Sequence, residues 1–275
     1  MRLYEVGPRD GLQVLNHKIP LNDRQRLISL LSEANLKYIE VGSCVSPRVL
    51  AMRDSEQLQV LADTTCSILV LNEKGYTRAI EGGYENININ ISLNDKFNDK
   101  NLGKTLEEIL VMYMKILDKN NKNKVRAYIS HAFDDNFPSN TLYDLVECLS
   151  RYCKTIVLCD TDGDATIKSI KQRIKQLSEP TFSLALHIHK GNGNYMEKVE
   201  AGYALNVREF DTSVVNFGGC INTDSPTANI STMEMVRWAK ENQIPMEYVI
   251  DETKLQEAQN YANLLAETCS SPVLS

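Results

Sequence analysis

His187 and His189 stand two positions apart in the stretch Leu184-Ala-Leu-His187-Ile-His189-Lys190. On a strand, alternate side chains point to one face. The two imidazoles would therefore share a side at the end of a buried strand, a usable start for a metal site. The plain alternative is two unrelated histidines at a strand end, hydrogen-bonded or solvated. The rest of the chain weighs against that alternative, because its other apolar runs also end in reactive or polar groups. Arg9 and Asp10 follow the first, Glu40 lies in the second, and Asn90 and Ser92 end the fourth. Ser130 and His131 end the fifth, Asp160 ends the sixth, and Gly218-Gly219-Cys220 follows the eighth, with Asn229 further on. Asp10, His187, His189 and Asn229 would combine a carboxylate, two imidazoles and an amide carbonyl. Such ligands suit Mg²⁺ or Mn²⁺, with Co²⁺ and Zn²⁺ within their range, and the lack of a cysteine cluster argues against structural zinc. The cation would act as Lewis acid and template.

The elements that must position these groups follow from periodicity. Strands are expected at 3–6, 38–41, 66–71, 86–92, 125–130, 155–159, 182–189 and 209–215. Helices are expected at 22–34 with Asn22 as N-cap, 54–62, 73–81, 102–120, 141–153, 166–177, 195–206, 229–240 and 251–267. Strict alternation implies parallel strands joined by crossover helices. Eight such units predict an α/β fold, a TIM (β/α)8 barrel occupying 1–275 as a single catalytic domain, with 251–267 an additional C-terminal helix. In that fold, side chains at the C-terminal ends of the strands converge on one mouth. Buried charges are costly unless paired or bound to metal, so this convergence points to function. No Gly-x-Gly-x-x-Gly follows a strand and no P-loop occurs, which disfavours a dinucleotide or ATP fold.

Composition narrows the partners. The 275 residues carry a net charge of -6, which weighs against a nucleic-acid partner. The cluster Lys119-Asn-Asn-Lys-Asn-Lys124 reads as a solvated turn. Seven scattered cysteines without a CxxC pattern suit free thiols in a reducing compartment. No signal peptide, transit peptide or membrane-length apolar run is legible, so a cytoplasmic protein with no membrane partner is expected.

Glu5-Val-Gly-Pro-Arg-Asp-Gly-Leu-Gln13 resembles the N-terminal signature of hydroxymethylglutaryl-CoA lyase, in the DRE-TIM metallolyase superfamily. Related aldolases and citramalate-type synthases usually carry Leu-Arg-Asp-Gly there. The resemblance continues through Leu31-Ser-Glu-Ala34, Ile39-Glu40, Val45-Ser-Pro47, Asp160-Thr161, His187-x-His189, Gly218-Gly-Cys220 and Asn229, in the family's order. It implies that Asp10, His187, His189 and Asn229 hold the divalent cation. It implies further that Arg9 lies against the oxygen where enolate charge develops, that Cys220 protonates the departing acetyl-CoA carbanion, and that Glu40 and Asp160 orient ligands or relay protons. The implied reaction is retro-Claisen cleavage of a small-molecule acyl-CoA, 3-hydroxy-3-methylglutaryl-CoA or a similar substrate, to acetyl-CoA and a keto acid such as acetoacetate. Barrels of this family often pair into homodimers.

The sequence departs from the family around the substrate. Lys190 stands where Asp or Asn usually follows the second histidine, and as a Schiff-base lysine it is far less expected than as a surface lysine beside the site. The strand-5 loop is His131-Ala-Phe-Asp-Asp-Asn-Phe137 in place of Gly-Cys-Pro-Tyr-Glu-Gly, Val14-Leu15 replace polar and basic residues, and Ile221 follows Cys220. These changes leave open an aldolase or Claisen-type synthase on another 2-oxo acid or acyl-CoA. A non-catalytic metal-binding relic is a third alternative, opposed by the retention of the whole ligand set.

Overall fold

The computed structural model describes residues 1–121, 124–177, 182–191, 194–215 and 227–267. Eight strands form one closed barrel: β1 (Arg2–Glu5), β2 (Tyr38–Ser43), β3 (Thr65–Leu69), β4 (Asn86–Ser92), β5 (Val125–Ser130), β6 (Thr155–Asp160), β7 (Ser183–Ile188) and β8 (Glu209–Thr212). Every pairing is parallel, and β8 closes on β1 with Arg2 opposite Glu209 and Glu5 opposite Thr212. The helices are α1 (Leu21–Glu33), α2 (Glu73–Glu81), α3 (Asp95–Leu102), α4 (Leu106–Leu117), α5 (Ser139–Ser150), α6 (Ile167–Gln176), α7 (Tyr195–Ala204), α8 (Thr232–Glu241) and α9 (Glu252–Glu267). The expected TIM barrel with an extra C-terminal helix is the observed architecture.

Period 2 divides each strand between two environments. Leu3, Ile39, Ile68, Ile87, Ile89, Ile129, Ile156, Leu186 and Phe210 belong to one continuous apolar core with the helices. The alternate positions are largely polar. Tyr128, Val157, Cys159 and Ala185 make only a small separate apolar cluster, and polar groups continue the other layer. Tyr4 donates to Ser67 Oγ at 2.6 Å, and Asn88 Nδ2 donates to Ser67 Oγ at 3.0 Å and to Glu40 Oε1 at 2.7 Å. Branched apolar side chains usually fill a barrel of this kind; here charge and hydroxyl groups take much of that space.

Several boundaries differ from expectation for local reasons. The helix expected at 102–120 is α4, Leu106–Leu117, and a helix that was not expected, α3, precedes it and shares only Leu102 with the expected range. Gly103 ends α3 in the left-handed conformation (φ 63°), and Thr105 opens α4 in a capping box with Glu108. Helix α1 starts after Pro20, so Asn22 does not cap it. The expected helix at 54–62 is replaced by two short 3-10 turns, Leu50–Met52 and Ser55–Gln57. Helix α8 is capped by Ser231 rather than opened at Asn229, and β8 stops at Thr212. Helix α9 buries Leu255, Ala258, Ala262 and Leu265, a 3-4-3 stripe, and packs against α1. Among the described residues, no helix is long and apolar enough to cross a membrane.

Candidate active site

Immediately after β1 the chain makes one π-helical turn, Gly7–Gly11, with Pro8 at its start. This turn aims Arg9 and Asp10 into the mouth. It needs glycine at its far end, because a Cβ on Gly11 would stand 2.5 Å from Val215 Cβ. Glu5 fastens its near end. The Glu5 carboxylate accepts from Gly7 N–H (2.8 Å), Val214 N–H (3.0 Å) and Thr232 Oγ1 (2.5 Å), tying β1, the end of β8 and α8 together.

Burial, opposed by those three donors, pushes the Glu5 carboxyl up to about 7. An acid raised by folding contributes most below its unfolded value and loses that contribution as pH rises through the folded one. Glu5→Gln keeps an acceptor for both backbone N–H groups and removes the ionisation. The melting temperature of the variant relative to the unmodified protein is therefore expected to climb between about pH 5 and 8, measured on metal-free protein. Parallel melting curves would show that Glu5 is ionised at no cost.

His187 on β7 and His189 just past its end lie on one face, as the spacing required. Their Nε2 atoms are 3.0 Å apart, and each is 3.9 Å from Asp10 Oδ2. Asp10, His187 and His189 are all buried and form the one group of three or more candidate ligands among the described residues. Asn229 pairs with His189 across a β-bridge and donates from Nδ2 to Asp10 Oδ2 at 2.7 Å. Any ligand role for Asn229 therefore falls to its carbonyl oxygen. Gln13 Nε2 and Arg9 Nη1 both donate to Asp10 Oδ1, the former at 2.8 Å. Arg9 Nε donates to Glu40 Oε2 at 2.5 Å, and Glu40 is wholly buried.

The tautomers follow from the partners. His189 Nδ1 faces the Thr161 carbonyl at 2.8 Å, and a carbonyl only accepts, so this nitrogen carries the hydrogen. His187 Nδ1 faces Asp211 Oδ2 at 2.9 Å, with the same consequence. In neutral rings both Nε2 atoms are then bare lone pairs facing each other. That arrangement is repulsive unless a cation or proton sits between them. Their separation is less than twice the usual nitrogen–metal bond of about 2.0–2.1 Å, so one ion can meet both. The donor set fits a divalent cation.

Electrostatics reinforce the fit. Burial would push the Asp10 carboxyl up, but Arg9 and the two imidazoles outweigh it and hold Asp10 well below the usual carboxylate range. Burial disfavours a charged His189, yet the hydrogen bond and charge of Asp10 outweigh that and raise its pKa. Asp10 thus stays anionic, and a proton is the natural competitor of a metal at His189.

Of the other expected site residues, Glu40 sits behind Arg9 and acts on the mouth only through it. Asp160 is brought to the edge of the group but not into it. Its Oδ2 accepts from buried Lys198 at 2.7 Å and its Oδ1 accepts from Ala165 N–H at 2.9 Å. Lys198 also donates to the Gly163 carbonyl at 2.8 Å. Asp160 therefore shapes the loop that presents the Thr161 carbonyl to His189, and its engagement with Lys198 disfavours a proton relay. Cys220 lies outside the described residues. Lys190 is a rim residue, 2.7 Å from Glu234 Oε2 and 5.1 Å from the centre of the Tyr195 ring. His131, with φ 57°, bonds Ser92 Oγ through Nδ1 at 2.8 Å and stands edge-on to Phe97.

The sequence reading missed Arg126, Tyr128, Glu209 and Asp211. Arg126 pairs with both Glu209 and Asp211 and lies 4.0 Å over the Tyr4 ring. The signal was present, since Arg126-Ala-Tyr128 and Glu209-Phe-Asp211 repeat the i, i+2 spacing of His187 and His189.

Arg9, Asp10, His187 and His189 floor a cavity of about 390 Å³ at the C-terminal ends of the strands. Arg9, Asp10, His187, His189 and Tyr128 form its polar side, and Val45, Val49, Leu71, Phe97 and Leu102 its apolar wall. A larger hollow, about 570 Å³, opens at the other barrel end beside Arg2, Phe182 and Glu247. Arg2 is already paired there with Glu209 and Glu247, and none of the candidate metal ligands reaches it. The smaller cavity is where chemistry and volume coincide.

Comparison with known proteins finds relatives over most of the chain. The HMGL-like family profile matches residues 1–263. A 3-hydroxy-3-isohexenylglutaryl-CoA/hydroxy-methylglutaryl-CoA lyase of Pseudomonas aeruginosa is 30% identical over 250 residues, spanning 86% of this chain and 83% of that protein. The hydroxymethylglutaryl-CoA lyase of Pseudomonas mevalonii is 29% identical over 252 residues, with 86% and 83% covered. Among solved structures, an HMG-CoA lyase from Acinetobacter baumannii in complex with coenzyme A and 3-methylmalate superposes with a TM-score of 0.88 at 27% identity, covering 97% of this chain and 91% of that one.

Proposed function

The chain belongs to the HMGL-like family and is a carbon–carbon lyase of it, and from that premise we propose that it cleaves 3-hydroxy-3-methylglutaryl-CoA, or a 3-hydroxyacyl-CoA of the same pattern, to acetyl-CoA and a keto acid such as acetoacetate. The observation that carries this reading is the pair of imidazole lone pairs beside the Asp10 carboxylate, with the Arg9 guanidinium on that carboxylate's other oxygen. Asp10, His187, His189 and the Asn229 carbonyl would hold a divalent cation, which supplies Lewis-acid charge to the hydroxyl and carboxylate oxygens of the substrate.

Arg9 brings fixed positive charge and N–H donors to the thioester oxygen as the C–C bond breaks and enolate charge builds there. Glu40 and Asp10 keep the guanidinium from swinging away. A base at the mouth takes the substrate hydroxyl proton as its carbon becomes the ketone of the keto acid, so the proton lost there balances the one the carbanion gains. The acetyl-CoA carbanion takes a proton, and Cys220 is the acid assigned to deliver it. Val215, five residues before Cys220, packs against Gly11 beside Arg9 and Asp10, so the described root of the cysteine loop adjoins the mouth. We place the reaction in the cytoplasm; Cys44, Cys66, Cys148 and Cys159 are free thiols, which suits a reducing compartment.

The test is acetyl-CoA release from 3-hydroxy-3-methylglutaryl-CoA, followed with citrate synthase as the coupling enzyme. Cleavage is expected with Mg²⁺ or Mn²⁺, is expected to stop with EDTA, and to return when metal is restored. Cleavage indifferent to EDTA would refute the metal assignment. Metal binding without cleavage would point to a different acyl-CoA or to synthase chemistry.

A further inference from the structure

A column of alternating charge runs up the barrel bore beneath the cavity. Arg2 reaches Glu209 at 2.9 Å, Arg126 bridges Glu209 and Asp211, and Asp211 Oδ2 meets His187 Nδ1 at 2.9 Å. Arg126, Glu209 and Asp211 are all buried. The column is not what pairs the carboxylates of the mouth, since Asp10 and Glu40 both have Arg9 as their partner. We infer that Asp211, held in place by Arg126, is a positioning residue that locks His187 in the Nδ1–H tautomer and so keeps its Nε2 lone pair open to a cation.

The argument turns on donor and acceptor count. Neutral imidazole carries one hydrogen, and the partner of one nitrogen decides what the other can do. His189 is fixed by the Thr161 backbone carbonyl, an acceptor that no side-chain substitution removes. His187 is fixed by a carboxylate whose two oxygens have separate duties. Oδ1 accepts from Arg126 and Oδ2 accepts from His187. Arg126 is indispensable to this division. Its guanidinium has only donors, so it claims one acceptor oxygen and turns the other toward His187.

Asp211→Asn is nearly isosteric but has a single acceptor oxygen. Arg126 takes that oxygen, and the amide NH₂ then faces His187 Nδ1. This nitrogen must become an acceptor, its hydrogen moves to Nε2, and the atom facing the cation is capped. The same substitution at the carboxylate behind a catalytic histidine in serine proteases produces a wrong tautomer of this kind. Loss of a carboxylate behind a metal-binding histidine typically costs about 10- to 100-fold in metal affinity.

The experiment uses the full chain, labelled with [15N]histidine and free of metal, at alkaline pH where the rings are neutral. Long-range 1H–15N spectra of the unmodified protein are expected to show Nδ1–H for both His187 and His189. In Asp211→Asn only His187 is expected to change, to Nε2–H. Mn²⁺ titrated calorimetrically is expected to bind about 10- to 100-fold more weakly to the variant. Nε2–H at His187 in the unmodified protein would overturn the inference, and that readout needs no variant to fold. An unchanged His187 tautomer in Asp211→Asn would overturn it as well, even if affinity fell. The assignment rests on the metal reading only through the Mn²⁺ measurement. Failure of the unmodified protein to bind Mn²⁺ would refute that reading, whereas the tautomer result tests Asp211 by itself.

Discussion

Arg9→Met is expected to lower the turnover of the lyase reaction by about 10²- to 10³-fold, the loss typical when one fixed donor to a developing oxyanion is removed. The guanidinium is buried to 6% exposure, and Glu40 and Asp10 keep it charged. A substitution here has a second consequence. Glu40 is wholly buried, and without Arg9 its carboxylate keeps Asn88 as a neutral donor, with Tyr128 at 3.5 Å. Breaking a buried pair by removing one partner costs about 3–5 kcal/mol, so the single variant should also melt earlier. The double variant Arg9→Met with Glu40→Gln separates the two effects. It removes the stranded charge, so stability should recover while turnover stays low. Arg9→Lys should be intermediate, since an ammonium keeps the charge but lacks the planar fork that spans two carboxylates. The measurements are kcat, KM and melting temperature for each variant. Turnover of Arg9→Met within a few-fold of the unmodified enzyme would sink the role assigned to Arg9.

His189→Ala should abolish Mn²⁺ binding over any practical range. Loss of a supporting partner behind a ligand already costs about 10- to 100-fold in affinity, and loss of the ligand itself must exceed that. Asp10→Asn should be comparably severe, because it removes the one carboxylate the two imidazoles share. The pH dependence supplies the sign. Metal and proton compete for His189 Nε2, and the pKa of His189 is raised by Asp10. Affinity in the unmodified protein should therefore fall as pH drops, beginning above the ordinary histidine value of about 6.5. In Asp10→Asn the residual affinity should begin to fall at a lower pH, since the group that raises His189 is gone. Calorimetric titration with Mn²⁺ across pH checks both statements. A Mn²⁺ affinity for His189→Ala equal to that of the unmodified protein would remove His189 from the ligand set.

Much of the site was legible because strand chemistry is local. A side chain two positions along a strand returns to the same face, so His187-x-His189 could be read as a pair before any neighbour was known. The same rule applied to Glu209-Phe-Asp211 would have found the acids of the barrel bore. An acid pair on its own reads as an exposed strand face, and only the closure of β8 onto β1 buries it. Asp160 shows what spacing leaves undetermined. Its place at the end of β6 put it beside the site, and Lys198, on α7, claims one of its oxygens. That contact joins residues 38 positions apart, and no spacing rule in either segment announces it.

What the sequence by itself determined was the alternation of strands and helices, and hence the barrel, the end of it that carries chemistry, and the identity of Arg9, Asp10, His187 and His189. These are consequences of periodicity and of reactive side chains placed where strands stop. Tertiary structure alone decided which atom of each group faces the mouth. The Thr161 carbonyl follows the end of β6 and the Asp211 carboxylate lies on β8, and they set the tautomers of the two imidazoles. Protonation and hydrogen-bond direction depend on partners brought together by the closing of the barrel. The start of α4 is an intermediate case, since Gly103 and the Thr105 capping box are local signals that place it at Leu106, inside the expected 102–120 range. The chemistry-bearing residues were thus a property of the chain, and their electronic state a property of the fold.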